Sequence, residues 1–455
     1  MTPAATFEVR NPATEAVIER VLAATAEDVD AAVERAAAAF ERWRRVAPSD
    51  RARLLRHLAE RLDAEREPLA QLEMRNTGKP IADARGEIGM VVETFAYYAG
   101  APERLLGDTI PVAGGIDVTF REPLGVVGLI VPWNFPLTIA SWKLAPALAA
   151  GNTVVLKPAG LTPLTAVEFG RLAEEAGIPP GVVNVLPGPG RVVGQRLVEH
   201  PRVAKIAFTG STEVGRGIMR AAAGTIKRVT LELGGKSANV VFADADLAAA
   251  AAAAPSAVFG NAGQDCCARS RILVERPALD DFLTLLEPAV TGLRVGDPAD
   301  EATQMGPLIS AAQRDTVASF VPEGAPVAVR GSAPGGPGYW YPPTVLAPVA
   351  PGDRAVTEEI FGPVAVVLGF ADEAEAVRLA NDTIYGLSGS VWTRDGARAL
   401  RVARAIDTGT LSVNSNTSVR VTTPFGGFKQ SGVGRELGPH ALDHYTEVKN
   451  VFIAT

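Results

Sequence analysis

Cysteine is scarce in this chain: two residues among 455, and they are neighbours, Cys266 and Cys267. A disulfide between sequence neighbours needs a strained geometry, so no cystine framework staples the fold. A basic surplus is missing too. Lys and Arg total 44 against 51 Asp and Glu, giving a net charge of -7 and a pI near 5.4. That balance, with no run of Lys and Arg, excludes an electrostatic footprint for nucleic acid or an anionic membrane. Met1 to Phe7 carries no basic segment leading into an apolar core, the mark of a secretory leader, and thiols without a framework fit a reducing cytoplasm. The uncharged stretch from Pro123 to Trp142 has about the length of a membrane span, but Pro132, Asn134 and Pro136 would break such a helix in lipid. It reads as a buried strand and turn.

What is present is apolar mass. With 47 % hydrophobic residues the chain can bury more than a single core usually holds, so two or three domains are expected, with small molecules and copies of the chain as partners. From Thr25 to Glu73 apolar residues recur at helical spacing, first Val29, Val33, Ala36, Ala37 and Phe40, then Leu54, Leu55, Leu58 and Leu62. A further helix is expected near Ile88 to Gly100. The alternating segment Leu105 to Arg121, around Gly114-Gly115, reads as a hairpin that leaves the domain.

Strand and helix then alternate, with strands over 126–131, 153–156, 182–186, 204–208 and 229–233 and helices over 137–150, 163–176, 191–199 and 211–223. This rhythm predicts a parallel, doubly wound α/β sheet that binds ligands at the carboxyl ends of its strands. Pro187-Gly188-Pro189-Gly190 with Gly194 resembles a dinucleotide loop whose glycine spacing departs from the usual fingerprint. Thr209-Gly210-Ser211, between a strand and a helix, is better placed to offer backbone N–H groups to a pyrophosphate. Past Asp244 the Ala-rich run Leu247 to Ala254 predicts a helix. A second α/β layer follows, with strands over 271–274, 365–368 and 411–413 and helices over 280–293, 373–381 and 397–405. Gly331 to Gly338 reads as a surface loop, and Tyr445 to Ile453 as an edge strand able to pair with the hairpin of a neighbour.

The cysteines admit two readings. Either they are small buried apolar residues, or one is a thiolate nucleophile that needs a group to take its proton and donors to receive an oxyanion.

Five motifs resemble the aldehyde dehydrogenase superfamily: Pro132-Trp133-Asn134-Phe135-Pro136, Leu231-Glu232-Leu233-Gly234-Gly235, Gly263-Gln264-Asp265-Cys266, Glu359-Ile360-Phe361-Gly362-Pro363 and Pro424-Phe425-Gly426-Gly427. They occur in the family's order, and the resemblance runs from about Asn11 to the C-terminus. It implies an α/β aldehyde dehydrogenase fold: a Rossmann-like cofactor domain over 1–104 and 124–234, an α/β catalytic domain over 235–430, and a small β oligomerisation arm over 105–123 and 440–455. It also implies a homodimer or homotetramer, which together with the composition gives an expected cytoplasmic protein with no metal, nucleic acid or membrane partner. Cys266 would be the nucleophile, with Cys267 as its neighbour. The backbone N–H of Cys266 and the amide of Asn134 would hold the thiohemiacetal oxyanion, and Glu232 would activate water against the thioester. Lys143 and Glu436 match positions linked to proton relay, a surface ion pair being the alternative.

The resemblance further implies NAD or NADP. Ile130 and Trp133 would line its site, with Lys157 at the adenosine ribose and Gly188, Gly194 and Val214 around the adenine. Ser211 would meet the pyrophosphate, and Glu359 the nicotinamide ribose hydroxyls, with Phe361 packed nearby; Phe208, Gly210 and Leu233 complete the contacts. Many NAD-using members carry a glutamate where Lys157-Pro158-Ala159-Gly160 has glycine. Losing that carboxylate removes repulsion against a 2′-phosphate, so NADP becomes admissible while NAD stays ahead.

The substrate pocket is expected to hold Phe135, Ile139, Trp142, Asp265, Cys267, Phe425 and the loop Asn414 to Thr423. Asp265 could attract the ammonium of an amino-aldehyde, including betaine aldehyde; Arg420 could instead grip the carboxylate of a semialdehyde. General aldehydes, a CoA-acylating reaction and a non-catalytic binding protein are the other readings. Glu232 argues against the CoA-acylating one, because related CoA-dependent enzymes lack that glutamate.

Overall fold

Thr25 starts the helical layer. Its hydroxyl accepts from the N–H of Asp28 at 3.2 Å while the Asp28 carboxylate accepts from the N–H of Thr25 at 2.8 Å, a reciprocal cap on the helix Ala26–Trp43. That helix buries Val29, Val33 and Ala36 as its spacing predicts. Helices Pro48–Ala64, Arg66–Thr77 and Ile81–Ala99 follow; the last begins well before the expected 88, at the residue after Pro80. The computed structural model describes residues 5–417 and 419–455. Four residues of the opening segment read for a leader, and Ser418 in the loop 414–423, lie outside the described residues. No helix among the described residues is long and apolar enough to cross a membrane.

The first sheet is the doubly wound sheet that the strand and helix rhythm predicts. Arg228–Glu232, Val203–Thr209, Val126–Ile130, Thr153–Lys157 and Val183–Val185 lie side by side in parallel. The short Gly432–Val433 closes one edge antiparallel to Arg228–Glu232. Val126–Ile130 and Thr153–Lys157 are buried along their whole length, which is why both read as continuous apolar runs. The helix Pro136–Ala149 is buried on every side and starts on a proline, whose missing N–H costs nothing in a first turn. The stretch 123–142 is therefore strand, turn and the opening of this helix.

The second sheet runs in the order Val327–Arg330, Thr344–Leu346, Val364–Phe370, Arg271–Glu275, Ala238–Val241, Ser388–Trp392 and Thr410–Val413, all parallel except the first pair. Its central strands, Ala238–Val241 and Ser388–Trp392, escape the sequence reading because polar residues interrupt them. Those residues bond to each other: the Ser390 hydroxyl donates to the Asn239 side-chain oxygen at 2.8 Å, both fully buried. The Ala-rich helix extends to Phe259, through Pro255.

The arm differs from expectation. Thr446–Ala454 pairs antiparallel with Gly115–Pro123 of its own chain, which in turn pairs with Thr109–Val112. The C-terminal strand thus completes a three-stranded sheet with the hairpin of its own chain and stands at the edge of that sheet. Chain geometry makes this the nearer solution, since the turn Pro439–Tyr445 delivers the strand directly to the hairpin edge.

Candidate active site

The cysteines stand in a forced turn. After the helix Leu247–Phe259, Asn261 and Ala262 both take left-handed backbone angles, φ 50° and 54°, at about 1–2 kcal/mol for each non-glycine residue. Gly263 follows at φ 70°, and a Cβ there would lie 2.1 Å from the carbonyl oxygen of Gly362. Side-chain hydrogen bonds offset the strain. The Asn261 amide donates to the carbonyl oxygens of Asn134 at 3.0 Å and Gln264 at 3.3 Å, and the Gln264 amide donates back to the Asn261 carbonyl at 3.1 Å. Gln264 also accepts from the N–H of Ile309 at 2.9 Å, so the residue two before Cys266 is locked in place.

Asn134 reaches the same turn from the far side, its amide donating one hydrogen to the Gln264 carbonyl at 2.9 Å. Cys266 is half-buried and Cys267 buried. Asp265 accepts from the N–H of Cys267 at 2.8 Å, and burial holds its carboxyl above the usual range. The Cys266 thiol is pushed well up by its hydrogen bond with the Cys267 side chain, then by burial, then by the charges of Cys267, Asp265 and Glu359. A resting thiol in this setting is protonated and needs a base. The ligand-type atoms of Asp265, Cys266 and Cys267 lie within 4.8 Å of one another, a proximity that three consecutive residues acquire from the chain itself.

Glu232 ends its strand with 3 % exposure, in contrast to an ordinary exposed strand-end carboxylate. Burial raises its carboxyl well above normal, the charge of Glu436 adds to this, and Lys143 opposes it. One of its oxygens is buried with no hydrogen-bond partner. Lys143 and Glu436 form an ion pair that is fully buried on the lysine side, so the surface-pair alternative fails. Glu232 and Glu436 open onto one cavity of about 370 Å³ that reaches Cys266 and Asp265 and is walled by Phe135, Ile139, Trp142 and Phe425. Trp142 and Phe425 meet edge to face at 5.1 Å. A hollow of about 540 Å³ elsewhere, bounded by Asp83, Phe259 and Gln304, is larger but has no cysteine in its lining. Arg420, expected in the wall, is exposed and not among the lining residues; Arg269 lines the cavity instead, donating to the Cys267 carbonyl at 3.2 Å.

A sequence model described as the Aldehyde dehydrogenase family matches residues 1–451. The chain is a member of the aldehyde dehydrogenase family. It is 45 % identical to retinaldehyde dehydrogenase 3 of Homo sapiens, over 98 % of this chain and 89 % of that protein. It is 43 % identical to betaine aldehyde dehydrogenase of Bacillus subtilis (strain 168), over 97 % of this chain and 93 % of that one. The structure superposes on an aldehyde dehydrogenase from Bacillus cereus in complex with NAD+ at a TM-score of 0.97 and 44 % identity, covering 99 % and 93 % of the two chains.

For an aldehyde dehydrogenase the cofactor is NAD or NADP, and the residues at the carboxyl ends of the first sheet fit such a group. The Glu359 carboxylate accepts from the N–H of Gly235 at 2.9 Å, and a Cβ on Gly234 would lie 2.2 Å from its other oxygen, so the backbone there is shaped around an acceptor. Burial pushes Glu359 up to about 7, against the Gly235 N–H and the charge of Lys236. Ile130, Phe208 and Leu233 are buried at neighbouring strand ends, and Lys157 is lowered to about 8 by burial. Trp133 meets Phe361 edge to face at 5.2 Å. Gly188 and Gly194 are buried, while Val214 is half-exposed.

The loop 209–211 differs in part from its reading. The N–H of Gly210 donates to the Glu232 carbonyl at 3.0 Å and is not free for a phosphate, and the Ser211 hydroxyl caps the helix Thr212–Ala223 by accepting from Val214 at 3.4 Å. At Gly160 the nearest neighbour of an added Cβ would be the Phe7 ring at 3.9 Å, so the missing carboxylate leaves open space. Sequence reasoning missed Lys79, Glu87, Asn261 and Arg269. No motif marks the first two, which lie on and beside the helix Ile81–Ala99 and reach the site only through tertiary packing.

Proposed function

We propose that this aldehyde dehydrogenase converts an aliphatic amino-aldehyde to its acid through a thioester on Cys266. The carrying observation is that Glu232, buried with one oxygen unpartnered, lines the same cavity as Cys266, while the Asn134 amide is tied to the turn that carries the thiol. Glu232 takes the thiol proton, and the Cys266 sulfur adds to the aldehyde carbon. The resulting oxyanion accepts from the Cys266 N–H and from the second amide hydrogen of Asn134, the first being committed to Gln264. When bound, the oxidised nicotinamide supplies the two-electron acceptor that the oxidation to the thioester needs. Ile130, Trp133, Lys157, Ser211, Glu359 and Phe361 would hold that cofactor. Glu232 then draws a proton from water as it attacks the thioester, the acid leaves, and Cys266 is restored. The buried Lys143–Glu436 pair carries the proton onward.

A carboxyl group beside the nucleophile in an aromatic cavity supports a cationic substrate. Asp265 lines it together with Phe135, Trp142 and Phe425, while the Glu87 carboxylate in the wall is already paired with Lys79, and a cation over aromatic rings gains about 0.5–2 kcal/mol. The semialdehyde reading loses its main support with Arg420 at the surface. A buried Glu232 beside the thiol favours hydrolysis over CoA transfer. NAD is the preferred cofactor, in keeping with the Bacillus cereus relative, and the space at Gly160 admits NADP.

The boundaries 1–104 with 124–234, 235–430, and 105–123 with 440–455 divide cofactor binding, catalysis and assembly. The arm supports a homodimer or homotetramer, since Ile110, Phe120, Val448, Phe452 and Ile453 stand exposed on its sheet. Two free cysteines suit the cytoplasm. Initial rates with 4-aminobutyraldehyde, its γ-glutamyl form, betaine aldehyde, succinic semialdehyde and hexanal, each with NAD and NADP, test the reading. A preference for the uncharged or anionic members would sink the amino-aldehyde assignment, and turnover retained in Cys266→Ser would sink the mechanism. A monomer by light scattering would remove the assembly.

A further inference from the structure

Lys79 is a buried ammonium that the chemistry above leaves unused. It follows the helix Arg66–Thr77, in Thr77-Gly78-Lys79-Pro80, and its side chain has no exposure to solvent. Three groups surround it. Its ammonium donates to the backbone carbonyl of Asn134 at 3.0 Å, pairs with the Glu87 carboxylate in the cavity wall, and lies 4.7 Å from the centroid of the Phe135 ring. Glu73 and Asp83 also feel its charge, and so does Asp265 beside the nucleophile. Burying an ammonium is costly unless its partners are well placed, and a methionine would fill the same volume without that cost.

What the cost secures is the position of Asn134. Its carbonyl accepts from Lys79 on one side and from Asn261 at 3.0 Å on the other, while its amide is tied to Gln264. Lys79 thus joins the segment that carries the amide to the turn that carries the thiol, and fixes both to the helix bearing Glu87. We propose that Lys79 is a positioning residue for the oxyanion site, holding Asn134 at the distance from Cys266 that the tetrahedral intermediate requires. The inference rests on the reading of Asn134 as an oxyanion donor. An amide displaced by a fraction of an ångström loses much of its value to a developing charge, because a preformed donor acts only where the oxyanion arises.

The test uses the full-length enzyme with its best aldehyde and NAD. Lys79→Met lowers kcat on the order of tenfold, part of the loss seen when such a donor is removed outright. KM for NAD, and the rate at which iodoacetamide alkylates Cys266, stay within about twofold, which a general collapse of the site would not permit. Lys79→Met strands the Glu87 carboxylate, so the companion Lys79→Met/Glu87→Gln removes both charges. The kcat loss persists in the companion; recovery to the parent rate would trace the loss to the stranded carboxylate and overturn the proposal. Asn134→Ala closes a double-mutant cycle. Once the amide is gone, Lys79→Met costs less than about twofold, and an undiminished tenfold cost in that background overturns the positioning role. If Asn134→Ala alone keeps the parent kcat, the oxyanion reading fails first and the proposal with it.

Discussion

Replacing Glu232 by glutamine separates the two halves of the chemistry. The side chain is 3 % exposed and one oxygen has no partner, so the amide occupies the same volume and removes only the basic function. A positioned general base contributes about 10²–10⁴-fold, so steady-state turnover falls at least about 100-fold, which at 1.36 kcal/mol per decade is about 2.7 kcal/mol of barrier. Stability moves the other way. The folded-state pKa of Glu232 is raised, so its favourable contribution is fully present below the unfolded pKa near 4.5 and is lost as pH rises toward the folded value. At neutral pH glutamine relieves the cost of burying the ionised form, and the melting temperature does not fall. The assay is stopped-flow formation of reduced cofactor. A burst equal to the enzyme chain concentration followed by slow turnover assigns Glu232 to thioester hydrolysis; loss of the burst assigns it to thiol deprotonation as well. Turnover within threefold of the parent would refute the reasoning altogether.

Cofactor affinity follows Glu359. Its carboxyl titrates at about 7, and only the ionised form is a full acceptor for ribose hydroxyls, so the dissociation constant for NAD, read by fluorescence quenching, falls as pH rises from about 6 to 8. Glu359→Gln flattens that dependence. Asp265 is best tested as asparagine, which keeps an acceptor for the Cys267 N–H at 2.8 Å while removing the charge. In Asp265→Asn, kcat/KM for betaine aldehyde falls about tenfold relative to hexanal; an unchanged ratio removes Asp265 from substrate selection. Gly160→Glu places a carboxylate in open space near the Phe7 ring and lowers kcat/KM with NADP about tenfold relative to NAD, measured at saturating aldehyde.

Which features could be read in advance follows from how local their causes are. The strands Val126–Ile130 and Thr153–Lys157 are buried on both faces and therefore continuously apolar, so they stand out in the chain. Ala238–Val241 and Ser388–Trp392 are just as buried but hide, because Asn239 and Ser390 bond to one another across the sheet and each looks like a loop residue alone. Cys266 and Glu232 sit in short motifs whose glycines answer to steric demands nearby, as at Gly234 beside Glu359. Arg420 departs from its expected place for the opposite reason. Proximity to the pocket loop in sequence does not say which way a side chain faces, and this one is exposed.

Sequence by itself determined the family and the parallel α/β rhythm and singled out the proposed thiol and base, because backbone periodicity and motif spacing are written in consecutive residues. Only the tertiary structure decided the electrical state of the site. Burial of Glu232 and of the Lys143–Glu436 pair, the contact between Cys266 and Cys267, and the grip of Lys79 on Asn134 each depend on how the chain packs in space. The free energy of a buried charge depends on what surrounds it there, and a linear sequence does not contain that surrounding.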